Sequence, residues 1–376
     1  MKRLLLLLIV VGGLILGTDM DLKAQSAAKE EMRVAKAPLF RDPIHDGAAD
    51  PMVIYNEQEK AWYMFYTNRR ANVPTQGTNW CYGTRIGVAV STDHGKNWNY
   101  VGALDLEFER GRNTFWAPHV VYDKGVYHLF VTYIRGVHES WSGIGKIAHY
   151  SSRNLWNWDF CGLIPLADAD PLLDATVYKK PDGKWGMWYK NSRIGYTVEA
   201  VSNDLYHWTN VPGITIGDVP HEAPFVFYYK EYYWMLIDQW NGFGVYRSKD
   251  AEKWEKQSVI LGSRGERKDD NVRASHPGVV VTGDKAYVFY FTHPGWEKEG
   301  GWGDETGKLD EAGVLPYIYR RSSIQVAELK VDRNGIMGSD RNAPFDFYLP
   351  DARNRLYWRA YRFVGERMTR LMNGLS

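Results

Sequence analysis

The chain of 376 residues is too long for a small disulfide scaffold and suits one large β domain or two modest ones. Lys plus Arg is 46 and Asp plus Glu is 45, and setting aside residues 1–24 leaves 43 of each. That balance excludes the clustered basic excess that nucleic-acid binding needs, and two cysteines, Cys81 and Cys161, exclude a disulfide framework.

Lys2 and Arg3 precede the apolar run Leu4–Leu16, and Ala24 offers a small-residue exit before Gln25. This pattern predicts a signal peptide over residues 1–24 and a secreted or periplasmic protein. The run falls short of the ~20 residues that cross a bilayer, so no membrane span is expected in the mature chain. Residues 25–37, rich in Ala, Lys and Glu, read as a lead-in.

From there one pattern recurs five times. Asp50–Tyr55 pairs with Ala61–Thr67, Trp116–Tyr122 with Val126–Val131, and Asp174–Tyr178 with Lys184–Tyr189. Glu222–Phe227 then pairs with Glu231–Ile237, and His276–Val281 with Lys285–Phe291. Each pair is two apolar, aromatic-rich strands about a tight polar turn, a hairpin. A third strand follows four of them and leads into a Ser-to-Trp signature: Ser91–Trp98, Ser151–Trp158, Ser202–Trp208 and Ser248–Trp254. A Ser and an Asp that close the turn by side-chain hydrogen bonds, with a Trp packed over it, predict a hairpin to a fourth strand. The fifth copy closes with Ser323–Val331 instead.

Repeat starts lie 48 to 66 residues apart, the length of a four-stranded propeller blade. The predicted fold is all-β: a five-bladed β-propeller of four-stranded antiparallel blades over residues 38–343, with a catalytic pocket at the central axis. The first strand of each blade should line the channel, which would set Asp50, Trp116, Asp174, Glu222 and His276 at one mouth. Asn68–Arg85 and Pro294–Pro316 are long insertions that read as rims or lids. Residues 344–376 read as a packed tail, helical over Ala352–Met372.

Two carboxyl groups across a water-sized gap are the general solution to glycoside hydrolysis: one takes a proton from water and the other protonates the leaving oxygen. A third can tune the acid by like-charge repulsion. Asp50, Asp174 and Glu222 supply three. The aromatic content of 15% suits stacking on sugar faces. Trp116 is the expected platform at the cleaved sugar; Trp80, Trp240, Trp296 and Trp302 are rim candidates. Arg69, Arg70, Arg193 and Arg273 are candidate contacts to hydroxyls or a uronate.

The segments Gly47–Pro51, Trp116–Pro118, Asp174 with Tyr178 and Asp182–Lys184, and His221–Pro224 resemble glycoside hydrolase family 43 and its five-bladed relatives. The resemblance covers roughly residues 37–337. It implies Asp50 as general base, Asp174 as modulator and orienter, and Glu222 as general acid of an inverting, exo-acting glycosidase. An inverting mechanism goes with a base-to-acid gap of ~6.5–9.5 Å. His221, just before the Glu, is similar to family 117, which acts on 3,6-anhydro-L-galactosides, and this implies a helper role to the acid. His276 resembles a fifth-blade histidine that approaches a central calcium; no cofactor is otherwise required, and calcium's preference for oxygen would make such a site water-mediated. The expected partner is an oligo- or polysaccharide carrying a terminal arabinofuranoside, xyloside, galactoside or anhydrogalactoside.

Three rivals stand beside this reading. Ser91–Trp98 matches the Asp-box of sialidases, but that box is a turn device, and sialidases use six blades. A five-bladed phosphorylase would place phosphate where the base sits. A non-catalytic carbohydrate-binding propeller would keep the Trp platform without needing the acids.

Overall fold

The computed structural model describes residues 32–166, 171–299 and 305–351. The signal segment, Trp302 and the helix expected over Ala352–Met372 lie outside these residues.

Five antiparallel sheets of four strands follow one another along the chain. Blade 1 holds β1 (Ala48–Asn56), β2 (Ala61–Asn68), β3 (Arg85–Ser91) and β4 (Asn99–Ala103). Blade 2 holds β5 (Thr114–Asp123), β6 (Val126–Ile134), β7 (Lys146–Ser152) and β8 (Asp159–Leu163). Blade 3 holds β9 (Leu172–Lys179), β10 (Trp185–Asn191), β11 (Tyr196–Ser202) and β12 (Trp208–Ile216). Blade 4 holds β13 (Glu222–Tyr229), β14 (Tyr232–Asp238), β15 (Phe243–Ser248) and β16 (Glu255–Ile260). Blade 5 holds β17 (Ser275–Thr282), β18 (Lys285–Thr292), β19 (Ser323–Val331) and the two-residue β20 (Met337–Gly338).

Each first strand packs on the first strands of its neighbours, and β1 meets β17 to close the ring. Second strands lie sandwiched between blades. Every residue of β2 and β10 is buried, which is why these strands read as unbroken apolar runs rather than alternating ones. The outermost strands β8 and β16 are mostly exposed.

The Ser-to-Trp signatures form the turns expected of them. In blade 3 the Ser202 Oγ accepts the Asp204 and Leu205 amides, Asp204 accepts the Tyr206 and His207 amides, and the Trp208 indole donates to the Leu205 carbonyl. Blade 2 does the same one residue later than its sequence suggested, with Ser152 and Asn154. The ring is tied by its ends. Phe40 bridges to Ile324, and the Leu349 carbonyl accepts the Trp62 indole at 3.1 Å, so both termini of the described chain staple blade 5 to blade 1.

Candidate active site

The axial start of every first strand carries a β-bulge, two residues facing one on the partner strand. The first bulged residues are Asp50, Ala117, Asp174, Ala223 and His276, with φ of 53°, 50°, 57°, 51° and 49°. None is glycine, and left-handed backbone costs a residue with a Cβ about 1–2 kcal/mol. Five such positions around one axis mark strain held by the surrounding structure, as at functional sites. This register corrects one expectation. Trp116 and Glu222 are not equivalent to Asp50, Asp174 and His276; each stands one residue earlier, because the bulge aligns on the following residue (Pro51, Pro118, Ala175, Pro224, Pro277).

Four of the five bulge amides are held by a side chain of the preceding blade. Thr67 of β2 accepts the Ala117 amide at 2.9 Å, and Thr132 of β6 accepts that of Asp174 at 2.9 Å. Asp238 of β14, a residue the sequence reading missed, accepts the His276 amide at 2.8 Å. The corresponding position in blade 3 is Lys190, which cannot accept; there Asp174 itself takes the Ala223 amide at 3.2 Å. Lys190 turns to Glu222 instead, its ammonium 3.3 Å from Oε2.

The acids share one electrostatic field. Asp50 is buried, with the Arg69 guanidinium 3.5 Å and His276 Nδ1 3.3 Å from its Oδ1. Burial opposes the charge on Arg69, but Asp50, with Cys81, Glu222 and Asp174 behind it, holds its pKa above the ordinary value. Arg69 is fixed by the Phe291 ring, 4.8 Å below, and by His293 Nε2 at 3.4 Å. Nδ1 of His293 faces the Arg321 carbonyl at 2.9 Å and must donate there, so Nε2 is the acceptor that Arg69 needs. Burial, and the charges of Glu222 and Asp50, push the Asp174 carboxyl up to about 6 against the pull of His276 and Lys190. Burial and then the Glu222 charge push Asp238 up to about 7, against the hydrogen bonds from the His276 and Trp240 amides. Glu222 itself is partly open, its side chain 32% exposed. A buried neutral imidazole, His119, lies in the same ring of first strands, its pKa lowered by burial to about 4 and its Nε2 3.0 Å from the Val177 carbonyl.

Other sequence candidates fall elsewhere. His221 is fully buried, with Nδ1 2.8 Å from the Val219 carbonyl and Nε2 2.6 Å from the Thr197 hydroxyl. Both nitrogens are taken by these partners, and burial lowers its pKa. Trp80 and Trp296 are fully buried, in a cluster where the two insertions meet Ile134, and cannot stack on a sugar. Arg70 is spent on the Tyr82 and Asn79 carbonyls. Trp240 does stand at the rim, 42% exposed, with the Lys190 ammonium 5.0 Å from its ring. Trp116 is half-buried; its indole donates to the Cys81 carbonyl at 2.7 Å, and its ring packs on Tyr82, with the exposed Trp141 beyond. Arg273 is close enough to Asp238 for that charge to oppose the effect of its own burial. Arg193 follows β10, its amide bonded to Asn191. Cys81 and Cys161 are both free thiols.

Three solved structures can be set beside this chain. A thermostable family 43 glycoside hydrolase superposes with a TM-score of 0.54 at 20% identity, covering 83% of this chain and 98% of its own. A family 43 β-xylosidase/α-arabinofuranosidase from a compost microbial metagenome, in its calcium-free complex with xylotriose, gives 0.58 at 15%, covering 81% and 96%. A family 43 β-1,3-galactosidase with galactodeoxynojirimycin gives 0.57 at 15%, covering 83% and 100%. The chain has their fold. No family model and no curated protein matches it.

The propeller gathers Asp50, Asp174, Glu222, Asp238 and His276 at one end of its axis. A crevice of about 670 Å³ between β16 and β20 is lined by Asn241, residues 258–263 and 337–339, none of them titratable, so it offers no acid–base chemistry. Among the described residues no three His, Cys, Asp or Glu side chains are arranged to hold a metal ion. His276, with its Nδ1 on Asp50, does not make a calcium site by itself, since calcium takes six to eight oxygen ligands. Asp238 and Lys190 were legible had the second strands been aligned on one another: Thr67, Thr132, Lys190, Asp238 and Phe291 occupy one position.

Proposed function

We propose that the protein is an inverting, exo-acting glycoside hydrolase that removes a terminal sugar from a plant or algal saccharide. The observation that carries this reading is the strained axial ring, which sets Asp50 and Asp174 on equivalent bulges and Glu222 one residue before a third. Asp50 is the general base: its carboxylate takes a proton from water as the water attacks the anomeric carbon. Arg69 and His276 hold that carboxylate in place. Glu222 is the general acid and gives its proton to the leaving oxygen. Asp174, half-buried and tied to the Ala223 amide, fixes the backbone beside Glu222 and repels its negative charge. Trp240 and the Trp116–Tyr82 pair are the apolar faces on which sugar rings stack.

Two of the solved neighbours are a β-xylosidase/α-arabinofuranosidase and a β-1,3-galactosidase, and xylosides, arabinofuranosides and galactosides, with 3,6-anhydro-L-galactosides, are the substrates to test. Arg69 and His276 beside Asp50 are also the groups a phosphate would seek, so hydrolysis is to be assayed with and without phosphate. Export is part of the proposal, the leader being cleaved after Ala24. The deciding experiment incubates the protein with an oligosaccharide panel and follows released sugars by chromatography and their first-formed anomer by proton NMR. Release of an inverted monosaccharide without phosphate supports the reading. Glu222→Gln should lower turnover of ordinary glycosides by about 10²–10⁴-fold while sparing substrates with acidic leaving groups. Wild-type rates in that variant on ordinary glycosides refute the assignment.

A further inference from the structure

Asp238 is 1% exposed and lies in β14 directly opposite Glu222 of β13, so the two carboxyl side chains share one face of the sheet. Its Oδ1 accepts the Trp240 amide and its Oδ2 the His276 amide, each at 2.8 Å. In blades 1 and 2 the same position is threonine, and the hydroxyls of Thr67 and Thr132 hold the next bulge amide at 2.9 Å. A neutral hydroxyl therefore suffices to tie the ring. A carboxyl group adds to that task only the cost of burying a charge unless it remains protonated. The charged and titratable groups around it are Glu222 on β13, His276 on β17, and Arg273 on the approach to β17. The Lys190 ammonium of β10 lies 3.3 Å from Glu222, and Asp174 adds repulsion to the same carboxylate.

We infer that Asp238 is a positioning residue that shares a single proton with Glu222, keeping one proton on the pair for delivery to the leaving oxygen. The inference rests on the glycosidase reading of Glu222. With one proton the pair carries one negative charge, faced by the Lys190 ammonium. As the glycosidic bond breaks, its electron pair goes to the leaving oxygen, which takes the proton from Glu222. Water gives its hydroxyl to the anomeric carbon and its other proton to Asp50. Once the products leave, Asp50 releases a proton to solvent and the pair takes one back.

The test compares the full-length wild type with Asp238→Thr, which keeps an acceptor for the His276 amide as Thr67 and Thr132 do, and with Asp238→Asn. Infrared difference spectra over pH 5–9, with ¹³C-labelled aspartate to separate Asp from Glu bands, read the protonated carboxyl directly. The expected result is two aspartic-acid carbonyl bands in the wild type, that of Asp174 titrating near pH 6 and that of Asp238 near pH 7, of which only the second is missing from both variants. On whichever aryl glycoside of the xyloside, arabinofuranoside and galactoside set is cleaved, the basic limb of kcat/KM should move down by about one pH unit or more in Asp238→Thr, because the neighbouring charge is gone. A merely structural role would leave that limb in place. An unchanged basic limb, or a band near pH 7 that persists in Asp238→Thr beside that of Asp174, overturns the proposal. Should the protein cleave none of these sugars nor any oligosaccharide, the glycosidase reading fails by itself, and the infrared titration alone decides whether the proton is shared. If Asp238→Thr does not fold, the wild-type band and Asp238→Asn decide.

Discussion

Replacing Asp174 by Asn should make the protein more stable and inactive at once. Burial, with Glu222 and Asp50 nearby, raises this carboxyl from 3.8 to about 6. The unfolded chain releases that proton near pH 4, whereas the folded one keeps it until about pH 6. Below pH 4 both states are protonated and the group is neutral to stability. As pH rises from 4 to 6 the folded state holds a proton the unfolded state has lost, so stability falls, and above 6 the loss is complete. Each pH unit is worth about 1.4 kcal/mol, so the full difference is about 3 kcal/mol. Asn has nearly the same shape and keeps an oxygen for the Ala223 amide, but it has no charge to bury. The stability of Asp174→Asn relative to wild type should therefore climb by about 1.4 kcal/mol per pH unit from pH 4 to 6 and then level off. Denaturant unfolding at half-unit pH steps measures this directly. A difference that stays flat with pH, or one that falls toward neutrality, would refute the claim that the site buries this charge at a cost.

Three further outcomes follow from the site's layout. Trp240→Ala should change stability by less than about 0.5 kcal/mol while raising KM, whereas Trp80→Ala should cost about 3–5 kcal/mol, as read by thermal unfolding and initial rates. His221→Ala should destabilise the fold by about 1–3 kcal/mol, since it orphans the Thr197 hydroxyl and the Val219 carbonyl, yet leave the pH profile of kcat unmoved. His149 is buried against His128, 3.0 Å away, and burial followed by the neighbouring imidazole lowers its pKa to about 3. Because the unfolded histidine charges near 6.5, stability should fall as pH drops below that value, and His149→Phe should flatten the slope between pH 6 and 4, as measured by urea titration.

The repeat itself was legible because local chemistry writes it. Paired apolar runs, polar turns and the Ser-to-Trp endings are each satisfied within about ten residues, and the structure realises them in four blades with a shortened fifth. Asp50, Asp174, Glu222 and His276 also stood out, since a channel strand has little other use for such groups at its start. What failed was finer. Reading Trp116 and Glu222 as equivalent to Asp50 missed a one-residue bulge, and only the cross-strand register fixes where a bulge falls. His221 stood out because it adjoins Glu222 in sequence; only the structure shows its ring nitrogens on the Val219 carbonyl and the Thr197 hydroxyl.

The amino-acid order alone thus settles how many hairpins form and which residues begin them, because those are short-range matters of turn chemistry and apolar pattern. Which groups become neighbours at the axis is decided by ring closure, which joins positions hundreds of residues apart. Asp50 meets His276, and Arg69 meets His293, only because β1 packs against β17. The upward shift of the Asp174 carboxyl is likewise a property of the closed ring, since it depends on burial and on the charges of Glu222 and Asp50, supplied by other blades.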